Sequence, residues 1–374
     1  MGLRQAALMR RAFVGGVMLM ACAVVQALPR DTVSPSRHAA ATESTAHADA
    51  PATGGPAAPE AGGGASNNPE AQAIEASTFS AMKGSTAKRR LLIKVETLLD
   101  REHFSPGEID GQNGSNLENA MAAFGQAQDL SGGGKLDAAF FDALTKADSA
   151  PVTQDYVITA DDEKGPFLGT IPSGFPEMAK LKSLGYANPL QYFAEKFHMS
   201  EKLLRELNPK ADFTAVGTSI VALRPGNGDI GEPVARVEVD KSTDQVRALN
   251  AAGRVVAVFP ATVGSTERPA PSGEWAVKSV VNNPPYTYDP KRLTFGDKSK
   301  GALTIAAGPN NPVGSTWIDL TVETYGIHGS PDPTLIGKTA SHGCVRLTNW
   351  DAAALGRAVK KGTPVMFVGR TTKT

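Results

Sequence analysis

Near Val234 the spacing of large apolar residues changes from helical to strand-like, and that switch divides the chain into two kinds of architecture. Upstream, Leu91, Leu92, Val95, Leu98 and Leu99 fall at i, i+1, i+4, i+7 and i+8, a single helical stripe. Downstream, Val237, Val239, Val246, Leu249, Val255, Val256, Val258 and Val263 are separated by turn residues such as Asn250 and Gly253, which is the pattern of a β-meander. The 374 residues, at roughly 150 per domain, fit two to three folded units.

The first thirty residues read as a targeting segment. Arg4, Arg10 and Arg11 form a positive start, and Ala12 through Leu28 is almost wholly apolar, which suits a secretory signal over residues 1–28. Its exit is either ordinary cleavage after small residues or lipidation at Cys22; in both cases the mature chain lies outside the cytoplasm, in the periplasm of a cell envelope. From Ser34 through Ala73 there is no Val, Ile, Leu, Met, Phe, Trp or Tyr. Such a stretch cannot bury enough apolar surface to offset its ordering entropy, so residues 29–86 are expected to be a disordered tether. Lys and Arg number 38 against 38 Asp and Glu, and a balanced charge argues against a nucleic-acid partner.

Residues 87–148 carry three helical stripes. The second holds Leu117, Ala120, Met121 and Phe124, and the third Leu136, Phe140, Phe141 and Leu144, after a break at Gly132-Gly133-Gly134. With the loop Ser105-Pro106-Gly107-Glu108-Ile109-Asp110-Gly111, this region resembles a peptidoglycan-binding-like domain. Residues 149–186 show a short alternation, Tyr156-Val157-Ile158, and carry no assigned role. Residues 187–225 hold two helical patterns, Leu190, Phe193 and Phe197, then Leu203, Leu204 and Leu207. The strand Ser219–Leu223 follows them. This is similar to a LysM-type glycan-binding module, with a poor opening strand. His198 reads as a turn residue.

The chemistry is expected in residues 233–370, a mostly-β domain with a helix from about Asn349 to Lys361. Trp317 through Thr324 alternates, with Ile318, Leu320 and Val322 on one face, and the same period carried forward brings His328 into phase. Once Cys22 is removed or lipidated, Cys344 is the one cysteine in the body of an exported protein. A lone thiol there invites oxidation unless it is used. It lies in Ser341-His342-Gly343-Cys344-Val345-Arg346-Leu347, downstream of Tyr325-Gly326-Ile327-His328-Gly329-Ser330. A thiol is a weak nucleophile at its ordinary pKa of about 8.5. An imidazole that takes its proton gives a reactive thiolate–imidazolium pair. Gly343 permits a tight turn that aims successive N–H groups inward.

These two strings resemble the signature of the YkuD-type L,D-transpeptidase catalytic domain, as do Pro271-Ser272-Gly273-Glu274-Trp275 and Gly308-Pro309-Asn310-Asn311-Pro312-Val313-Gly314. The resemblance implies a multidomain chain. A YkuD-like β-sandwich with a short helix would follow the small three-helix domain and the small α+β LysM-like module. It implies Cys344 as nucleophile, His328 as base, the Gly329 carbonyl as the group that orients the imidazole, and amides of Gly343 and Cys344, with His342 in support, around the oxyanion. Arg346 either binds a stem-peptide carboxylate or pairs with Asp351. Ser341 makes a turn hydrogen bond beside the substrate, and Tyr325 and Trp317 either line the groove or fill core. The implied substrate is the peptidoglycan tetrapeptide stem, with no cofactor and no metal. The acceptor is diaminopimelate, a lysine of a wall-anchored lipoprotein, or water. The alternatives are a wall-cutting cysteine hydrolase, a zinc hydrolase using His328, His342 and Cys344, and a non-catalytic wall-binding scaffold.

Overall fold

The computed structural model describes residues 66–264, 269–291, 301–339 and 343–370. The targeting segment and the linker up to residue 65 lie outside them, as do Ser341 and His342. Among the described residues no helix is long and apolar enough to cross a membrane.

Structure begins earlier than composition suggests. Helix α1 (Pro69–Glu75) starts with proline at its first position, and the Asn68 side chain accepts the amide protons of Glu70 and Ala71. Ile74 is 0 % exposed and packs with Ala71 into the same core as helix α2 (Gly84–Arg101). Glu75 accepts hydrogen bonds from both the amide and the hydroxyl of Thr153, each 2.7 Å. The expected disordered tether through residue 86 is therefore corrected from residue 66 onward. A capping asparagine and one well-placed isoleucine are enough to dock a two-turn helix where average composition looks inert.

Helices α3 (Ser115–Ala127) and α4 (Ala138–Ala147) close on α2 through edge-to-face rings, Phe104 on Phe124 and Phe124 on Phe140, with centroids 5.5 and 5.3 Å apart. The buried Glu96 carboxylate accepts the amides of Asp110 and Gly111 and so pins the Ser105–Gly111 loop to α2. Next comes strand β1 (Thr153–Val157), then the short helices α5 (Ala160–Glu163) and α6 (Phe175–Met178). Helices α7 (Pro189–Lys196) and α8 (Glu201–Leu207) follow, capped by Asn188 and Ser200, and lead to strand β2 (Ser219–Leu223). β1 pairs antiparallel with β2 along its length. β1 thus lies in the segment left unassigned, upstream of residue 187. The loop and this unit are stitched together, because Ile109 donates to His198 O and Ser200 donates to Ile109 O.

The strand-rich half comprises β3 (Arg236–Asp240), β4 (Gln245–Leu249), β5 (Val255–Pro260), β6 (Thr262–Val263), β7 (Gly273–Asn282), β8 (Tyr286–Tyr288), β9 (Leu303–Ile305), β10 (Thr316–Leu320), β11 (Gly326–His328), β12 (Val345–Arg346), α9 (Asn349–Ala358) and β13 (Pro364–Val368). Nine of these strands form one sheet in the order β5-β4-β3-β13-β7-β10-β11-β12-β6, and β8 and β9 pair separately. The outermost strands, β5 and β6, are consecutive in the chain with only Ala261 between them. Two residues of extended chain span about 7 Å, so the two edges of the sheet must meet and the sheet curls round its own core. The sandwich expected from the sequence is one continuous sheet folded over. Val239, Ala257, Ile318, Ile327, Val345, Leu355 and Phe367 share that core.

The free side of β5 is covered by the helical half: Ser105 donates to Val258 O at 2.9 Å, and Val258 donates to His103 O at 2.8 Å. An open strand edge is thereby sealed. Helix α9 runs from Asn349 to Ala358, three residues short of the expected end, and Thr348 rather than Asn349 is its cap, its hydroxyl accepting the Asp351 amide. Asn349 is released for a different task. Loss of a buried isoleucine side chain typically costs about 2–5 kcal/mol. Ile74→Ala should lower unfolding stability by that amount in urea melts; a change within about 0.5 kcal/mol would mean that α1 is not docked.

Candidate active site

The long strand expected from Trp317 to His328 is instead a hairpin. β10 stops at Leu320, Thr324 adopts a left-handed conformation (φ 59°), and β11 returns antiparallel with His328 opposite Trp317. The two rings stack, with centroids 5.4 Å apart and planes 22° apart. On its other side β11 pairs in parallel with β12, Ile327 opposite Val345 and His328 opposite Arg346. Ile327 and Val345 point into the core. Alternation then places Gly326, His328 and Arg346 on the opposite face, and Cys344, one residue before β12, falls beside Gly326 on that face. With strands about 4.8 Å apart and a rise of about 3.3 Å per residue, the Cα atoms of Cys344 and His328 are diagonal neighbours roughly 8 Å apart. That is a span the two side chains can close.

His328 is 4 % exposed, and its Nδ1 lies 2.7 Å from the carbonyl oxygen of Gly329. A carbonyl cannot donate, so Nδ1 carries the proton and Nε2 keeps its lone pair. Burial pushes the imidazole down to about 4, against the Gly329 carbonyl, and the Arg346 guanidinium adds to the depression. Burial also pushes the Cys344 thiol up, opposed by a hydrogen bond from the Gly326 amide and by Arg346. Its Sγ is 4.0 Å from Thr324 O. Burial thus favours a neutral thiol and a neutral imidazole over the thiolate–imidazolium pair expected from the sequence. Removal of water is the largest cause of the shift at each group. Gly343 has φ 141°, a conformation that side chains rarely tolerate, directly ahead of the nucleophile.

Arg346 is mostly buried beside Cys344 and Tyr286, and among the described residues no carboxylate pairs with it. Asp351 lies elsewhere: it accepts the Ser105 hydroxyl at 3.0 Å, and burial, with Asp100 close by, raises it to about 7. Tyr325 is 9 % exposed, packs edge-to-face on Phe367 at 5.6 Å, and its hydroxyl finds no hydrogen-bond partner among the described residues. Its ring packs in the core in phase with Ile327, within electrostatic reach of Cys344. Sequence reasoning missed Tyr286. It sits on β8 near Cys344 and Arg346, and Phe175 of α6 packs on it and on Tyr288. The alternating Tyr286-Thr287-Tyr288 after Pro284-Pro285 was the available signal. Among the described residues no three His, Cys, Asp or Glu side chains converge as a metal site.

A thiol, an imidazole with its tautomer set by the backbone and a guanidinium on one strand face are the equipment of cysteine-dependent acyl transfer. Residues 235–366 match the family model described as the L,D-transpeptidase catalytic domain, YkuD. Two Bacillus proteins named "Putative L,D-transpeptidase YkuD" are similar. The one from Bacillus subtilis (strain 168) is 30 % identical over 178 residues, 47 % of this chain and 91 % of that protein. The one from Bacillus licheniformis is 28 % identical over 176 residues, with the same coverage. Among solved structures, L,D-transpeptidase 3 from Mycobacterium tuberculosis in complex with a faropenem-derived adduct is 20 % identical, covering 41 % of this chain and 65 % of that one with a TM-score of 0.30. The chain belongs to the YkuD family of L,D-transpeptidases.

Two outcomes follow from the neutral pair. The unfolded chain protonates His328 near pH 6.5 and the folded chain near 4, so falling pH favours unfolding across that window, by on the order of 3 kcal/mol at pH 4 from this residue alone. His328→Gln should flatten that part of the stability profile in urea melts from pH 7 to 4; an unchanged slope would show a solvated ring. Iodoacetamide should alkylate Cys344 more slowly than free cysteine at pH 7, with the rate still climbing past pH 9; faster labelling at pH 7 would restore the ion pair.

Proposed function

We propose that this protein is an exported enzyme that remodels peptidoglycan through a thioester on Cys344. The observation that carries the reading is the shared strand face of Cys344 and His328, with Nδ1 of His328 committed to Gly329 O. As the sulfur attacks the carbonyl at the L-centre of meso-diaminopimelate, Nε2 takes the thiol proton. The oxyanion is met by backbone amides at Gly343 and Cys344. Collapse expels the terminal D-alanine, which leaves with the proton from the imidazolium. An acceptor amine then gives its proton to Nε2 and attacks the thioester, which restores the thiol. The wall bond supplies the energy, so no nucleotide takes part.

Because both groups rest neutral, the proton moves during attack and not before it. Such general-base assistance is typically worth about 10²–10⁴ in rate. Arg346 is proposed to hold a stem carboxylate, since a guanidinium beside the thiol with no acidic partner among the described residues offers a two-pronged donor. Ser341 and His342 keep the roles the family resemblance implies. The three-helix region and the β1–β2 unit are proposed to hold wall glycan, and the Arg-rich apolar leader to direct export to the periplasm.

Purified mature protein incubated with disaccharide-tetrapeptide should release D-alanine, and product masses identify the acceptor: cross-linked dimer for an amine, tripeptide for water. Cys344→Ala should abolish release, and His328→Ala should lower kcat by about 10²-fold or more. Retained release in the Cys344 variant would reject the nucleophile. Arg346→Gln should raise KM for the tetrapeptide about tenfold or more with a smaller change in kcat; an unaltered KM would remove Arg346 from the binding site.

A further inference from the structure

Asn349, freed from capping α9, joins the two halves of the molecule at the catalytic strand. Its Nδ2 donates to Glu195 Oε2 at 2.9 Å and to Pro309 O at 3.1 Å, and its Oδ1 accepts the Ser315 amide at 3.1 Å. The orientation of this amide is therefore forced, with acceptors on one side and a donor on the other. The same Oδ1 lies where a Cβ on Gly329 or Gly314 would stand, so the amide is wedged against the backbone whose carbonyl holds His328 Nδ1. Glu195 belongs to α7, outside the strand-rich half. Its carboxylate is half-buried, and its other oxygen accepts the Tyr186 hydroxyl at 2.8 Å. The loop containing Pro309 is clamped from the same side, since Leu184 donates to Ala307 O and Asn310 donates to Leu184 O.

We infer that Glu195 is a positioning residue for catalysis: through Asn349 it sets the Gly329 carbonyl, and through that carbonyl the tautomer of His328. The inference deepens the proposed reaction and rests on His328 being its base. Without Glu195 the amide of Asn349 loses its strongest acceptor and can turn over. Its NH₂ then faces the Ser315 N–H, and the Gly329 peptide shifts. A carbonyl no longer held at 2.7 Å lets the imidazole proton move to Nε2, where the lone pair is needed.

The test combines D-alanine release from disaccharide-tetrapeptide with nitrogen NMR of the His328 ring in the full mature chain. Glu195→Ala should lower kcat about 10- to 100-fold with KM little changed, and should show Nε2–H tautomer beside the Nδ1–H form of the parent. Glu195→Gln, which offers an acceptor to Asn349 and a donor to the Tyr186 oxygen, should recover most of the rate and the single tautomer. Asn349→Asp sets carboxylate against carboxylate and should fail likewise; adding Glu195→Gln should restore activity at least several-fold. A folded Glu195→Ala with parental kcat and one tautomer would overturn the inference, as would a double variant no better than Asn349→Asp. Should Glu195→Ala not fold, the Asn349→Asp pair decides. If the parent releases no D-alanine, the proposed reaction fails, while the tautomer measurement still decides the role of Glu195.

Discussion

The two-residue parallel pairing of β11 with β12 is the constraint on which the site depends. Parallel neighbours cannot be joined by a tight turn; the chain must leave one strand and return to the same end of the next, which takes a dozen or more residues. The fifteen residues between His328 and Cys344 are that crossover. Its length is therefore a topological requirement. The parallel register then does what an adjacent pair in sequence cannot, placing the His328 imidazole and the Cys344 thiol diagonally on one face. The curl of the sheet completes this arrangement, because β6 can flank β12 only if the strand after β5 comes round to the far edge.

Desolvation governs the electrostatics of that face. The imidazole is stacked on Trp317 and sealed from water, and the sulfur is packed against the hairpin turn at Thr324. Each environment disfavours the charged form of its group. A nucleophile kept as a thiol is less exposed to oxidation, since susceptibility follows thiolate character. The chemistry then relies on the lone pair at Nε2 being aimed correctly, which is a matter of backbone geometry more than of charge.

Much of this was legible in the sequence, and the failures have definable causes. The switch of period at Val234 and the meander through Val263 gave the strand-rich half, because a half-buried strand must alternate. The His328 and Cys344 strings located the chemistry, because few other uses justify a single thiol there. Alternation across Val322 and Thr324 misled, since a hairpin turn preserves an apolar pattern while reversing the chain. Tyr325 was ambiguous for a related reason: a one-residue offset decides between core and groove. Composition hid α1, which is capped by Asn68 and docked by Ile74 and Glu75. The ionisation states were beyond reach, as burial depends on what packs over the site and not on the residues in it.

Val258 of β5 lies in the same core as the helices, and Ser105 and Glu195 reach Asp351 and Asn349 of α9. The front of this molecule is consequently no bead on a string. Exchange of the upstream region between relatives, by recombination or by engineering, would have to carry matching changes on α9 and on the outer edge of the sheet. A transplanted catalytic half would expose the bare rim of β5 and leave an asparagine side chain without its anchor. Inheritance of the two halves as a unit is the natural outcome of such an arrangement.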